Sequence, residues 1–433
     1  METKLERITQ LSKENPDMVF TSIGHLINIE MLKDCHAKMD KDKAVGIDGV
    51  TKEEYSQKLE ENLIDLIDRM KRKAYHPKPA RRVEIPKDNG KSRPLSIYCY
   101  EDKLVQEALK RVLEAVFEPL FYDEMMGFRP HRGCHDALRL LNYQIFEQKT
   151  SWILDADIKS FFDNIDHEWM MKFVGAKIKD PRILRLVRVM LKAGVVKDLS
   201  GYESTEQGSG QGSVCSPILS CIYMHFVLLW WFHEVITPRL KGYAGIVNYA
   251  DDFVVTFQYK SDAETFYELL KHRMAHFGLS LAEDKCRLIE FGRYAEYNRK
   301  SRGEGKPVAF DFLGFTHICS RTKSGKFGVW RKTSRKKFVK KCKEMHRKLG
   351  LMRTQKTAEI IKWINQVLIG YYHYYGVIGN YGKVIEFRWN VLKSLFYWLN
   401  RRSQKKSYTW KSFYDMVDKG LPVVRPKTYY VYI

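Results

Sequence analysis

Residues 245 to 258 read GIVNYADDFVVTFQ, two apolar, β-branched runs separated by a pair of aspartates. Such runs favour pleated strands, and across so short an interruption the second must fold back antiparallel on the first. The stretch therefore predicts a hairpin with Asp251 and Asp252 at its tip. An acidic pair in that position can be an ordinary turn, because Asp is a favoured turn residue. Yet the Asn-Gly, Asp-Gly or Gly-X pairs of tight hairpins are absent, and adjacent like charges repel unless a cation offsets them. A metal reading needs two more features: a carboxylate on a neighbouring strand, and a surface suited to a polyanion.

The carboxylate is supplied by SWILDADI at 151 to 158, which reads as a strand ending in acidic residues. Asp155 and Asp157 share a face by the two-residue period of a strand, so either can stand beside the hairpin tip. Three carboxylates on adjacent strands offer the hard oxygen ligands that Mg²⁺ prefers. Two such ions about 3.5–4 Å apart can activate an attacking 3′-oxygen and stabilise a leaving pyrophosphate.

The polyanion surface is found in the charge distribution. Residues 321–433 hold 27 Lys and Arg against five Asp and Glu, the entire net charge of +22, while residues 1–320 balance. A modest basic excess serves solubility alone. An excess confined to one segment and interleaved with aromatics, as in VWRKTSRKKFVKKCKEMHRKL and FRWNVLKSLFYWLNRRSQKK, reads as a nucleic-acid surface. Within it, Arg335, Lys336, Lys337, Lys340 and Lys341, with Arg401 and Arg402, are the candidate phosphate contacts.

Length and a hydrophobic content of 44% allow two or three domains with substantial cores. The polar start METKLERITQLSKENPD has no apolar region of a secretory signal. The run CIYMHFVLLWWFHEVI is short for a membrane span and carries His225, His233 and Glu234, which predicts a buried helix and no membrane partner. The eight cysteines form no C-x-x-C pair, against a zinc module and in keeping with a reducing, cytoplasmic setting. Apolar spacing predicts helices at 102–117, 263–278 (stopped by Gly278) and through TAEIIKWINQVLIGYYHYY and KVIEFRWNVLKSLFYWLNRR. Strands and helices alternate without regular β-α-β units, so the expected class is α+β, an antiparallel sheet backed by helices, followed by a basic helical segment from the turn-like RTKSGKFG onward.

The order of motifs then becomes specific: GIDGV at 46–50, IPKDNGKSRPLSIY at 85–98, GFRPHRGCHDAL at 127–138, DIKSFFDNIDH, SGQGSVCSPILSCIY, YADD, GLSLAEDKCRLIEF at 278–291 and FDFLGF at 310–315. This series resembles the reverse transcriptase/maturases encoded by group II introns. The resemblance implies a right-hand polymerase fold, with an N-terminal extension and fingers at 1–135, a palm at 136–320 with some fingers insertions, and a thumb/maturase domain at 321–433. It selects Asp157, directly before Ile-Lys, over Asp155, so that Asp157, Asp251 and Asp252 hold two Mg²⁺ ions, with Mn²⁺ a possible substitute. Phe162 would pack under the sugar and exclude a 2′-hydroxyl. Lys87 and Arg93 would meet the triphosphate from a hairpin, where a bidentate Arg suits phosphate. Gln211 and Gly212 would approach the incoming base, although the family usually places Pro where Gly210 stands, which puts the rigidity of that loop in question. Lys285 matches a lysine that could protonate the leaving pyrophosphate, and Asp163 and Asp166 read as residues that cap or hydrogen-bond locally.

The implied activity is RNA-directed DNA synthesis on an RNA template and DNA primer with deoxynucleoside triphosphates. The implied second role is binding of the parent intron RNA, assisting its splicing and mobility. A domesticated relative in antiviral defence or with a CRISPR system is the alternative, and an RNA-binding splicing cofactor without polymerase activity is another. The C-terminal RPKTYYVYI lacks Cys or His pairs, so no zinc-bound endonuclease is expected.

Overall fold

A computed structural model describes residues 2–86, 92–197, 201–203, 206–322, 324–404 and 407–426, and among these eleven strands form three sheets with helices packed around them. The strands are β1 (Ala80–Pro86), β2 (Ser92–Ile97), β3 (Trp152–Asp157), β4 (Val195–Lys197), β5 (Gly201–Glu203), β6 (Ala244–Tyr249), β7 (Asp252–Phe257), β8 (Arg287–Glu290), β9 (Phe310–Phe312), β10 (Phe315–Arg321) and β11 (Phe327–Thr333). The class is α+β, as the alternation of elements predicts.

The central sheet has the order β6-β7-β3-β8, antiparallel throughout. Its strands are short and apolar on the faces that the helices cover, so each buries both sides. Ile246, Val247, Phe253, Val254, Val255 and Phe257 are all fully buried. A second sheet, β2-β1-β4-β5, combines an antiparallel β1–β2 hairpin with a parallel β1–β4 pair. The third, β11-β10-β9, is a meander whose β10–β11 hairpin runs through residue 321. The shift in charge near 320 therefore falls inside a hairpin, and the helical run begins only at Arg335–Met352.

The helix Tyr100–Phe117 is the spine of the largest core. Its apolar spacing reads as amphipathic, and it is buried on nearly every side, including Asp102, Lys103 and Gln106. Each polar group has a specific partner: Asp102 accepts from Tyr75 Oη at 2.6 Å, Lys103 Nζ donates to Ala44 O at 2.6 Å, and Gln106 Oε1 accepts from the Val214 amide at 2.9 Å. Buried polar groups persist when satisfied in this way. The apolar run near 221–236 is likewise internal. Ser216–Arg239 is the single helical segment among the described residues long and apolar enough to cross a membrane, and 72% of its apolar window is buried within the protein. Two π-helical turns, His225–Leu229 and Phe232–Ile236, interrupt it.

The helices Arg335–Met352, Thr357–Tyr375 and Tyr381–Leu399 build a separate core around Ile364, Leu368, Phe387 and Leu395. A third cluster, with Phe310, Phe312, Phe315 and Val377, joins this bundle to the central sheet. His135 Nε2 adds a hydrogen bond to Tyr374 O at 2.8 Å across the same junction.

Candidate active site

The register of the central sheet sets the site. Asp157, the last residue of β3, lies directly opposite Asp252, the first residue of β7, and Tyr249 faces Asp252 from β6. Asp251 sits in the two-residue tip between them, and its carbonyl accepts from the Ile158 amide at 3.3 Å. The tip is a tight turn in which Ala250 takes a left-handed φ of 60°. Asn248 holds it there: its side-chain amide donates to Ala250 O at 2.8 Å, while its backbone pairs with Glu124 and Met126. Sequence reading passed over Asn248, although a polar residue inside an apolar strand, buried to 1% exposure, is the signal that marks it.

Four carboxylates converge on this tip. Burial pushes Asp252 up to about 8, with repulsion from Asp155, Asp157 and Asp251 adding to it. Asp251 is raised by burial and by Asp157, against the opposing charges of Arg93 and Lys285. Asp155, the rival on the same strand face, is bound to Arg287 at 3.0 Å, whereas Asp157 has its carboxylate against the mostly exposed ammonium of Lys285. That contact raises Lys285 further above its usual range. Among the described residues no group of three or more His, Cys, Asp or Glu side chains is placed to hold a metal ion as the structure stands. Hard oxygen donors under mutual repulsion are nonetheless the chemistry that a hard dication relieves, and Lys285 supplies one positive charge in the same place.

Beside the carboxylates, the β1–β2 hairpin meets the Gln-Gly loop. Arg93 Nε donates to Gln211 Oε1 at 2.6 Å, and Gln211 Nε2 donates to Asp163 Oδ1 at 3.1 Å. Asp163 thus bonds a residue distant in sequence rather than a local one: it fixes which way the Gln211 amide points. Asp166 is a cap, accepting from the Trp169 amide at 2.8 Å. Gly212 has φ +113°, and any Cβ there would stand 2.4 Å from Ser96 O. Gly210 answers the question of loop rigidity. The space a Cβ would need is occupied by the Tyr98 hydroxyl at 2.1 Å, and Gly210 O accepts from Ser213 N and Ser216 Oγ, both at 3.0 Å.

Phe162 is half-buried, edge-on to Phe161 at 5.4 Å and to Phe128 at 6.0 Å, with its carbonyl accepting from the Ser209 amide of the same loop. Asp157, Asp251, Asp252, Lys285, Arg93, Phe162, Gln211 and Gly212 are therefore drawn into one region. Lys87 lies outside the described residues. The basic candidates stand elsewhere: Arg335, Lys336, Lys337 and Lys340 are exposed on the helix Arg335–Met352, while Lys341 is paired with Glu344 at 3.1 Å. Arg401 covers the Tyr397 ring at 3.6 Å, and Arg402 bonds Thr357 Oγ1 and Gln355 O, each at 3.0 Å.

A carboxylate-tipped hairpin paired in this register, beside a β-hairpin arginine and a Gln-Gly loop, coincides with a family match. Residues 85–317 match the model described as reverse transcriptase (RNA-dependent DNA polymerase). The chain belongs to the reverse transcriptase family. Its similarity runs to the group II intron-encoded branch. The group II intron-encoded protein LtrA of Lactococcus lactis subsp. cremoris is 32% identical over 304 residues, which cover 67% of this chain and 50% of that protein. Protein YkfC of Escherichia coli (strain K12) is 38% identical over 238 residues, 48% of this chain and 62% of its own. An uncharacterized 91 kDa protein in the cob intron of Schizosaccharomyces pombe is 37% identical over 229 residues, 51% of this chain and 28% of its own. This reverse transcriptase-family chain spans about half the length of the Lactococcus relative.

Proposed function

We propose that this protein is an RNA-directed DNA polymerase that also binds a group II intron RNA as a maturase, assisting splicing and mobility. The observation that carries the reading is the pairing of Asp157 with Asp252 across β3 and β7, with Asp251 in the intervening tip. In right-hand terms, the central sheet is the palm, the β1–β2 hairpin and its sheet belong to the fingers, and the helices from Arg335 form the basic thumb.

Asp157, Asp251 and Asp252 would hold Mg²⁺, which when bound supplies activation of the primer 3′-oxygen and stabilisation of the leaving pyrophosphate. The remaining work falls to this chain's own groups. Arg93, oriented by Gln211, presents a planar guanidinium to the triphosphate. Gly212 lets the backbone approach the base because it carries no side chain. Phe162 excludes the ribose 2′-hydroxyl. Lys285, which meets Asp157 in this structure, would donate a proton towards the leaving pyrophosphate. The exposed arginine and lysines at 335–340 neutralise RNA phosphates.

Primer extension with purified protein on an RNA template tests the reading. Activity dependent on Mg²⁺ and abolished in Asp251→Asn supports it; equal synthesis by parent and variant would refute it. Cross-linked RNA recovered from cells would show whether an intron is the bound partner.

A further inference from the structure

Six non-glycine residues among those described have a left-handed backbone, and three of them border the candidate site: Phe128 (φ 62°), Ser160 (φ 47°) and Ala250 (φ 60°). Phe128 is the most unfavourable of the three. A bulky side chain rarely adopts this conformation, and Phe128 is also 48% exposed, whereas Phe161 nearby is 1% exposed. Neither backbone preference nor hydrophobic burial accounts for its placement. Strain of this kind persists when the surroundings over-determine it.

The surroundings do. Gly127 lies so close to the acidic tip that a Cβ would stand 2.4 Å from the Ala250 amide nitrogen and 3.0 Å from Tyr249 C. Its carbonyl accepts from Cys221 Sγ at 3.3 Å. On the other side Arg129, buried to 8% exposure, donates to Tyr122 O at 2.6 Å, Met125 O at 3.0 Å and Glu118 Oε1 at 2.9 Å. Phe128 is held between two fixed neighbours, and its ring meets Phe162 edge to face, 6.0 Å between centroids at 74°. The same short segment thus touches the carboxylate turn through Gly127 and the Phe162 ring through Phe128.

We propose that Phe128 is a positioning residue for sugar specificity: it steadies the Phe162 ring against the 2′ position of the incoming nucleotide. The inference rests on reading Phe162 as the sugar gate. It accounts for why a strained, exposed phenylalanine is pinned to the turn that carries Asp251: the gate and the carboxylates keep a fixed separation through one rigid dipeptide.

The test is the ratio of kcat/KM for a deoxynucleotide to that for the matching ribonucleotide in parent, Phe162→Ala, Phe128→Ala and the double variant. Phe128→Ala should lower the ratio on the order of tenfold, mainly by improving ribonucleotide use, as expected when the apolar gate loses its support and loosens. The double variant should discriminate no worse than Phe162→Ala, because Phe128 acts through that ring. Phe128→Gly guards against misfolding. Glycine adopts this φ freely, so the variant should melt at or above the parent temperature while showing the same loss. An unchanged ratio in both Phe128 variants overturns the inference. An unchanged ratio in Phe162→Ala overturns the gate reading instead, and a loss confined to Phe128 variants would refute the steadying role.

Discussion

Gly210→Ala is the sharpest probe of how the nucleotide loop is held. The added Cβ would lie 2.1 Å from the Tyr98 hydroxyl, where ordinary contact begins near 3.4 Å. Tyr98 is 4% exposed and cannot swing aside, so the loop must give by about 1 Å, carrying Gln211 away from Arg93. Misplacement of about 1 Å around a reacting centre costs on the order of 10²-fold, or roughly 2.7 kcal/mol of transition-state stabilisation. Tyr98→Phe removes the offending oxygen, leaving the ring carbon Cζ at 3.2 Å and Ser96 Oγ at 3.4 Å as the next contacts. The double variant should therefore recover most of the loss. The assay is kcat/KM for dTTP on oligo(dT)-primed poly(rA) in all four proteins of the cycle, with thermal melts alongside. A coupling of about 1–3 kcal/mol is expected for residues in direct contact. Strict additivity would refute the account, because it would mean that the Tyr98 hydroxyl is not what excludes the methyl group.

Asp157→Asn or Asp252→Asn should lower primer extension by several orders of magnitude with RNA binding near normal, whereas Asp155→Asn should cost far less; the reverse order of effects, measured in the same assay, would assign the ligand to Asp155. Asp252 also makes a pH prediction. Its folded-state value of about 8, against about 3.9 in an unfolded chain, means that the metal-free native state holds the extra proton between those limits. Stability without metal should thus fall as pH rises from about 4 to about 8. Asp252→Asn should flatten that part of the profile, and Mg²⁺ affinity in the parent should rise across it; melts with EDTA and with Mg²⁺ read both. Neutralising Arg335, Lys336, Lys337, Lys340 and Lys341 should weaken RNA affinity and reduce the slope of log affinity against log salt by roughly 0.7–0.9 for each RNA phosphate that is no longer neutralised. An unchanged slope would make this face merely solvated.

The sequence by itself determined the local elements whose causes are local. The apolar runs on either side of Asp251 and Asp252 are close enough in sequence to pair as a hairpin, and Ala244–Tyr249 does pair with Asp252–Phe257. The helices of the basic segment followed from their own spacing, and Gly278 does end the helix before it with φ +72°. Residue spacing alone left Asp155 and Asp157 equivalent, since strand alternation puts both on one face. Only pairing between strands distant in sequence sets Asp157 opposite Asp252 and hands Asp155 to Arg287. The helix Tyr100–Phe117 shows the same limit, because its polar residues looked solvent-facing until partners from other segments enclosed them. The roles of Gly127, of Asp163 and of the Gly210–Tyr98 contact were invisible for a common reason: each acts through a neighbour far away along the chain. A periodic pattern records what a residue prefers of its own backbone and of solvent, while close approach between distant segments exists only once the chain has packed.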